Sequence, residues 1–183
     1  MNKTYKHVEE TRITISELML PSHANFSGKI HGGYILNLMD QIAFACASKY
    51  SSTYCVTASV DTVDFLNPIE VGELVTMKAS INYVGRTSMV VGIRVESQHI
   101  QSGNVKHCNS SYFTMVAKDD NGKNVPVPGL ILNSELEIKR FLKAIKRTEM
   151  KKTRQDEFDR DDFIPENYLR ELENFNVKIE LNG

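Results

Sequence analysis

Residues 33–50 restrict the fold more than any other segment, because apolar or small side chains fill nearly every position of a helical pattern. They include Ile35, Leu36, Leu38, Met39, Ile42, Ala43, Phe44, Ala45, Cys46 and Ala47. A helix that is apolar on nearly all sides is buried on most of them, and its alanines let the backbone of a sheet approach closely. We therefore predict a central helix from Gly33 to Tyr50 with other structure packed around it.

Four segments after this helix have the pattern of β-strands. Residues 54–65 are rich in Val and Thr, residues 73–84 and 88–98 alternate apolar with polar side chains, and residues 106–118 form the last segment. Period-two strands separated by tight turns are typical of an antiparallel sheet. Together with a first strand at residues 11–19, the pattern predicts an α+β fold in which an antiparallel sheet wraps round the long helix.

The last part of the chain differs from the rest in charge. About half of the charged residues follow residue 133, and two prolines and a glycine at residues 126–129 interrupt regular structure just before it. Ser134 is predicted to cap a helix, with Glu137 at the capping-box position. We predict a domain at residues 1–133 and a charged, mostly helical extension at residues 134–183. The extension is either a solvated helix docked on the domain, or a cap over a ligand site or an oligomer contact.

The composition and charge of the chain argue against several kinds of binding partner and cellular location. The formal net charge of −1 gives no overall field that would attract nucleic acid or an anionic membrane. No segment approaches the roughly 20 apolar residues of a membrane helix, and the polar start predicts no secretory signal. Cys46, Cys55 and Cys108 have apolar neighbours and no metal-site spacing, so we predict buried thiols in a cytoplasmic protein. A catalytic cysteine is the alternative, but it would need an electropositive, accessible setting.

Three features in and beside the predicted helix carry candidate chemistry. Asp40 stands among apolar residues, where an isolated carboxylate is costly and is usually paired or hydrogen-bonded; the alternative is a surface or structural aspartate. Gly32 and Gly33 would let a ligand approach backbone N–H groups at the positive end of the helix dipole, where a developing oxyanion is stabilised. Asn25 lies in the preceding loop. Taken singly, these glycines and this asparagine are explained as well by ordinary turns.

Short motifs run in a fixed order through roughly residues 10–128. They are Pro21, Asn25, Gly28, His31-Gly32-Gly33, Leu38-Met39-Asp40 and Ala43, then Val56 to Asp61, Phe65 to Pro68, Val71 to Glu73 and Gly85 to Met89. Each motif is weak alone. Their order and spacing resemble the hotdog-fold acyl-CoA thioesterases of the YciA and brain acyl-CoA hydrolase type.

This resemblance implies a hotdog fold, with the sheet curled round the central helix, and a homodimer as the minimal active unit. It further implies assembly into a homohexamer as a trimer of dimers, with acyl-CoA bound in the dimer interface. Asp40 would act as general base on a water molecule or as nucleophile on the thioester. Asn25 would come from the neighbouring protomer and position the water or the thioester, while N–H groups near Gly32 and Gly33 would polarise the carbonyl.

The resemblance also implies contacts with the rest of the substrate. Thr57 and Ser59 would face the pantetheine and the acyl end. A turn near the CoA phosphates would comprise Gly85, Arg86, Thr87 and Ser88. Arg86 would supply the charge there, unless it is a plain hairpin residue. His31 would pack or contact the substrate, because Phe also occurs at the matching position of the family; a general base is the alternative.

The implied function is hydrolysis of acyl-CoA to a free fatty acid and CoA, as part of fatty acid metabolism. No cofactor is expected beyond the CoA of the substrate, and no metal, because no nucleophile elbow, P-loop or metal-ligand motif is visible. A non-catalytic acyl-CoA-binding or sensing module on the same fold is the alternative. A hotdog hydratase would need a longer motif with a catalytic Asp and His that the sequence lacks. The presence of both Asn25 and Asp40 favours the enzyme.

Overall fold

The computed structural model describes residues 4–160, 164–172 and 174–180, which contain seven strands and four α-helices. The strands are β1 (Tyr5–His7), β2 (Ile13–Leu18), β3 (Tyr54–Val60), β4 (Glu73–Val84), β5 (Ser88–His99), β6 (Val105–Lys118) and β7 (Gly129–Ile131). The helices are α1 (Val8–Thr11), α2 (Gly32–Ser51), α3 (Glu135–Arg160) and α4 (Pro165–Leu172). Among the described helices, none combines the length and apolar character that a membrane crossing requires.

Five of the strands form one antiparallel sheet in the order β2-β4-β5-β6-β3. The two remaining strands, β1 and β7, form a separate parallel pair that the sequence pattern did not predict. Helix α2 packs against one face of the five-stranded sheet. This α+β arrangement confirms the predicted hotdog fold, in which an antiparallel sheet curls round a long helix.

The core lies between α2 and the sheet. Helix α2 contributes Ile35, Met39, Ile42, Cys46 and Tyr50, all of which are buried. Because side chains alternate across a strand, β4 and β5 each present one apolar row to the helix, and these rows are buried as the period-two pattern predicts. The residues of the two rows are Val75, Met77, Ala79, Ile81, Met89, Val91, Ile93 and Val95.

The predicted burial of α2 on most of its sides is wrong for one face. Gly33, Leu36, Asn37, Asp40 and Phe44 follow one another at helical spacing, and all five are exposed in the single chain. A single sheet covers one side of a helix, so the opposite stripe stays open although it includes apolar residues. Asp40 therefore lies at the surface of the chain and not in its core.

Two predicted strands differ from the structure at their ends. The strand predicted at residues 54–65 ends at Val60. A register shift between Thr57 and Ser59 marks a bulge in its pairing with β6, and bulges bend a strand and disrupt its ladder. The strand predicted at residues 11–19 starts at Ile13, because the short helix α1 occupies Val8–Thr11.

The chain divides into two compact units, Met1–Ile145 and Lys146–Gly183. The first unit contains the start of α3, where the Ser134 Oγ accepts the N–H of Glu137 at 3.3 Å, as predicted. In a capping box, the Glu137 carboxylate would accept the N–H of Ser134. It instead accepts the N–H of Asn133 at 2.7 Å and pairs with Arg12. The predicted extension also includes residues 161–163, 173 and 181–183, which lie outside the described residues.

Candidate active site

The side chain of Asp40 has one hydrogen bond among the described residues. The Thr57 Oγ1 donates to the Asp40 Oδ1 at 2.6 Å and also lies 3.5 Å from the Sδ of Met115. Thr57 stands on β3 opposite Met115 of β6, so the sheet edge holds its hydroxyl against the middle of α2. The bond orients the carboxylate and leaves its second oxygen open on the exposed stripe of the helix.

The start of α2 offers two unused N–H groups. His31 is the N-cap residue, and its carbonyl accepts the N–H groups of Tyr34 and Ile35. The first N–H groups of a helix have no intrahelical partner, and no hydrogen bond of the described residues uses those of Gly32 or Gly33. An added Cβ at Gly33 would meet no atom within 4 Å. A ligand can therefore reach the backbone at this end of the helix dipole.

Helix geometry separates this end from Asp40. Gly33 and Asp40 lie on the same face but seven residues apart, which corresponds to about 10 Å along the axis at 1.5 Å per residue. A carbonyl held within hydrogen-bond distance of the Gly33 N–H is too far from the same chain's Asp40 for that carboxylate to direct attack on it. One chain therefore carries the two halves of a site without bringing them together.

Asn25 lies in a loop that its own side chain organises. Its Oδ1 accepts the N–H and the hydroxyl of Ser27, at 2.9 and 2.7 Å, and the N–H of Lys29 at 3.2 Å. Gly28 completes the turn with a φ of 77°, a conformation that glycine adopts without strain. The amide oxygen is thus fully engaged, and the Nδ2 amino group has no hydrogen bond within the described residues. No hydrogen bond of the described residues joins Asn25 to Asp40.

His31 is exposed at the N-cap of α2. Nine residues separate it from Asp40, about 13 Å along the axis, so its imidazole does not meet that carboxylate within one chain. A neighbouring stack has a clearer structural role: the rings of His23 and Tyr34 lie 3.9 Å apart, and the Tyr34 hydroxyl donates to Glu17. That hydrogen bond raises the pKa of Tyr34.

The predicted CoA-binding turn is the hairpin between β4 and β5. Its Gly85 N–H donates to the carbonyl of Ser88 at 2.8 Å. Arg86 is exposed, and no ion pair among the described residues includes it. Met89, just after the hairpin, pairs with Met115, which pairs with Thr57. Two strand spacings, about 10 Å, therefore separate the base of the hairpin from Thr57. Ser59 lies beyond the bulge and is half-buried.

The three cysteines are free and buried. Burial raises the pKa of Cys46 to about 12 and also raises the pKa of Cys108. Such thiols are protonated at neutral pH and make poor nucleophiles, which disfavours a catalytic cysteine at these two positions. Within the described part of the chain, no group of His, Cys, Asp and Glu side chains is arranged to hold a metal ion.

Two residues without a role predicted from the sequence, Phe65 and Met115, shape this region. The ring of Phe65 lies 3.2 Å from the position of an added Cβ on Gly32, so Gly32 is small because Phe65 covers it. Met115 contacts the Thr57 hydroxyl from the neighbouring strand. In the sequence, Phe65 ends a predicted strand and belongs to a family motif, and neither indicates its contact with Gly32. Nothing in the local pattern of β6 indicated the contact of Met115.

Comparisons with known proteins agree with this architecture. Residues 27–103 match the family model of the thioesterase superfamily. The chain is 47% identical to Protein VdlD of Helicobacter pylori over 148 residues, which cover 81% of this chain and 84% of that protein. It is 33% identical to the uncharacterized acyl-CoA thioester hydrolase YkhA of Bacillus subtilis, over 80% of this chain and 86% of that protein.

Solved structures give the same result. A hexameric acyl-CoA thioesterase in the apo form superposes with a TM-score of 0.81 at 36% identity, covering 83% of this chain and 97% of that one. The acyl-CoA hydrolase of Staphylococcus aureus, in complex with butyryl-CoA and CoA, gives a TM-score of 0.78 at 31% identity over 85% and 94% of the two chains. These likenesses confirm the predicted family: this chain belongs to the hotdog-fold acyl-CoA thioester hydrolases of the thioesterase superfamily.

Proposed function

We propose that this chain hydrolyses the thioester of acyl-CoA with Asp40 as the catalytic carboxylate. The observation that carries the proposal is the hydrogen bond from Thr57 to Asp40, which orients a carboxylate on an open helix face and leaves its second oxygen free. The Staphylococcus aureus hydrolase has been solved with an asparagine, an aspartate or a threonine changed to alanine. These three residues are spaced along that chain as Asn25, Asp40 and Thr57 are here.

As general base, Asp40 takes a proton from a water molecule whose oxygen attacks the thioester carbonyl carbon. The C–O bond forms while the carbonyl oxygen becomes an oxyanion. The C–S bond then breaks, and CoA leaves as the thiolate, which takes up the proton from Asp40. As nucleophile, Asp40 would attack the carbonyl carbon, break the C–S bond so that CoA leaves as the thiolate, and form an anhydride with the acyl group, which water then hydrolyses. Both routes use the same oxygen of Asp40 and require donors at the oxyanion.

The donors come from the neighbouring protomer. The N–H groups of Gly32 and Gly33 lie about 10 Å along the helix from their own Asp40, whereas a two-fold axis beside antiparallel α2 helices brings the start of one helix to the middle of the other. Asn25 precedes that helix start, and its Nδ2 amino group has no hydrogen-bond partner among the described residues. It would donate to the thioester or to the attacking water, and the active unit is a homodimer with two equivalent sites.

The remaining proposed contacts are with the CoA part of the substrate. The Gly85 to Ser88 hairpin would face the phosphates. The guanidinium of Arg86, which forms no ion pair within the described part of the chain, would be the charge that recognises them. Thr57 and Ser59 would line the path of the pantetheine and the acyl end, beside Asp40. His31, exposed at the helix start, would contact the substrate. No cofactor is required, because the carboxylate, water and backbone donors supply every group in the reaction.

Assembly and location complete the proposal. The exposed stripe of α2, with Leu36 and Phe44, and the neighbouring Tyr54 offer apolar surface for a second copy of the chain. The apo thioesterase with a TM-score of 0.81 is hexameric, which supports a trimer of dimers here. The buried free cysteines are compatible with the reducing conditions of the cytoplasm, where we place the protein.

The Asp40→Asn variant tests the role of the carboxylate. The amide keeps the size of the side chain and accepts the hydrogen bond of Thr57, but it cannot take a proton or attack as a nucleophile. Hydrolysis should be abolished while CoA binding persists, as measured with a thiol-reactive dye for free CoA and by calorimetry for binding. Asp120→Asn, in an exposed turn, is the matched control. Undiminished turnover in Asp40→Asn would sink the assignment.

The second candidate function is an acyl-CoA-binding or sensing module. The open backbone at Gly33 and the hairpin at Gly85–Ser88 would serve binding alone. A panel of short, medium and long acyl-CoAs distinguishes the two functions. An enzyme releases CoA from at least one of them, whereas a sensor binds them and releases none.

A further inference from the structure

The sheet face turned away from α2 carries a cavity that is not part of the site around Asp40. Strand register places side chains there in two adjacent rows. Thr14 pairs with Lys78, Lys78 with Arg94, and Arg94 with Ser110, so one row crosses four strands. In the next row, Ser80 pairs with Gly92 and Gly92 with Tyr112. Because residues alternate across a strand, these side chains point away from the buried rows of the core.

Gly92 makes room on this face for the side chain of a neighbouring strand. It stands in the middle of β5 without a side chain, and the Asn82 side chain lies over it, with its Nδ2 atom 2.1 Å from the position that a Cβ on Gly92 would take. Ser80 and Asn82 are buried and hydrogen-bonded to each other at 3.2 Å. The first turns of α3 form a wall, and the cavity between wall and floor has a volume of about 480 Å³.

Cations outnumber carboxylates around this cavity. Arg12, Lys78, Arg94 and Arg140 line it. Glu96 pairs with both Lys78 and Arg94, at 2.7 Å each, and Glu137 pairs with Arg12 at 3.2 Å. No ion pair among the described residues includes Arg140. Two carboxylates thus face four cations, so the residues around this cavity carry an excess of positive charge.

The side chains retain donors for a ligand. Arg94 contacts Glu96 through its Nε, and Arg12 contacts Glu137 through one Nη, so each guanidinium keeps further N–H groups. A planar guanidinium group can donate two parallel hydrogen bonds to two oxygen atoms of one phosphate. The cavity volume lies in the range of pockets that hold a whole small molecule, which is more room than a bare phosphate fills.

From this geometry we propose that the groove between the outer sheet face and the start of α3 binds an organic phosphate of nucleotide size. Arg94 and Arg140 contact the phosphate, and the Ser80–Asn82–Gly92 floor accommodates the remainder. The site lies on the opposite face of the sheet from Asp40, so it is separate from the thioester-hydrolysing centre. Its occupancy by ligand does not depend on the catalytic role proposed for Asp40.

Titration of the full-length protein with ADP tests the site. CoA also carries an adenosine phosphate, so two sets of variants separate the two places where ADP could bind. Arg94→Gln and Arg140→Gln each remove one charge from the groove, and Arg86→Gln removes one charge from the hairpin. We expect each groove variant to weaken ADP binding at the groove about tenfold or more, in line with loss of a charge-assisted contact. Arg86→Gln should affect only ADP bound at the proposed CoA site, and both it and Asp40→Asn should leave binding at the groove unchanged.

Further binding measurements determine which part of the ligand the groove recognises. Inorganic pyrophosphate should bind more weakly than ADP, because it leaves most of the cavity empty, and higher salt should weaken both ligands. Equal ADP affinity in the wild type and both groove variants overturns the proposal, as does loss of binding in Arg86→Gln alone. Failure of ADP to bind, together with a changed oligomer mass in Arg94→Gln by light scattering, also overturns it and assigns the groove to a protein contact. Unchanged melting temperatures in both variants establish that they are folded.

Discussion

Gly33 and Asn25 each offer a group that the single chain does not use. At Gly33 the unused group is a backbone N–H with open space beside it. At Asn25 it is the Nδ2 amino group, because three donors from the same loop already occupy the amide oxygen. A residue whose polar atoms serve the fold tolerates only isosteric changes, whereas a residue with spare atoms can be changed without loss of folding. Gly33 therefore separates function from stability, and Asn25 does so for an isosteric change that keeps its oxygen.

Gly33→Ala should stabilise the protein and impair the enzyme. Alanine has the higher helix propensity, by up to about 1 kcal/mol, and its methyl group enters open space in the single chain. The same methyl group would block a ligand from the backbone N–H. We expect a higher midpoint of urea unfolding together with a clear fall in kcat/KM. Unchanged kcat/KM in a folded variant would remove the start of α2 from the site.

Asn25→Ala and Asn25→Asp distinguish the two ends of the amide. Alanine removes both the oxygen that holds the loop and the Nδ2 amino group, and turnover should fall by about two orders of magnitude or more. Aspartate keeps an acceptor for Ser27 and Lys29 but has no amino group, so turnover should fall similarly while the melting temperature stays near that of the wild type. Ser27→Ala is the control for the loop, because it removes one loop contact and leaves the amino group in place. If Asn25→Asp keeps wild-type turnover, the amino group has no part in the reaction.

At the scale of elements, Glu73 joins three strands at one end of the sheet. It begins β4, and its buried carboxylate accepts hydrogen bonds from Ser97 of β5 and from the N–H of Glu70, and pairs with Lys106 of β6 at 2.8 Å. Burial alone would raise the pKa of Glu73, but the donors from Glu70, Lys106 and Ser97 together lower it. The charged form is therefore the one that the fold stabilises.

This carboxylate predicts a pH-dependent part of the stability. A group whose pKa is lowered by folding contributes stability above its unfolded pKa, near 4.3 for glutamate, and loses that contribution as the pH falls through the lowered value. Glu73→Gln should cost about 1–3 kcal/mol at pH 7 and less at pH 3, because folding lowers the pKa of Glu73 and protonation removes its contribution. Urea unfolding of both proteins at the two pH values measures the difference. An equal cost at both would show that the charge on Glu73 does not stabilise the fold.

At the scale of the whole molecule, the uncovered edge of the sheet and the uncovered face of α2 indicate where a partner binds. Strand β3 lies at one edge of the sheet, beside the exposed stripe of α2 that carries Leu36, Asp40 and Phe44. The ring of Phe44 meets that of Tyr54 edge-on at 5.6 Å, so apolar surface continues from the helix to the strand. A continuous apolar patch around a carboxylate is typical of an interface that also holds a site.

Mixing two inactive variants tests whether that interface is the site. In the proposed dimer, Asn25 of one protomer serves Asp40 of the other. A dimer of one Asp40→Asn chain and one Asn25→Ala chain therefore has one intact site and one doubly damaged site. Random exchange between the two variants should restore about a quarter of wild-type activity, because half of the dimers are mixed. Activity should appear only after the subunits are exchanged by reversible unfolding.

A site built within one chain would give no such recovery, since neither variant chain contains both residues. Native mass spectrometry of a mixture in which one variant carries a mass tag supplies the reference, because the fraction of mixed dimers measures how completely the subunits exchange. Absence of recovered activity, in samples whose exchange this reference shows to be complete, would place Asn25 and Asp40 in the same chain's site.

The sequence by itself determined the family, the fold class and most of the elements. The motifs between Pro21 and Met89 identify the family, since order and spacing survive where single residues are ambiguous. The helix was predicted within one residue of Gly32–Ser51, and the strand at Glu73–Val84 was predicted at its observed ends. Such patterns are local: helical and period-two spacing are written in neighbouring residues. The roles of the site residues remain predictions.

Only the tertiary structure decided which surfaces stay open and which distant residues meet. The sequence placed Asp40 in an apolar helix, but the single sheet covers one side, so Asp40 is exposed and receives its hydrogen bond from Thr57. Phe65 over Gly32 and the rows that cross Lys78 and Arg94 depend in the same way on strand register and chain path. The physical reason is that periodicity states which residues share a face, whereas burial depends on what packs against that face, and this is set by contacts between residues far apart in the chain.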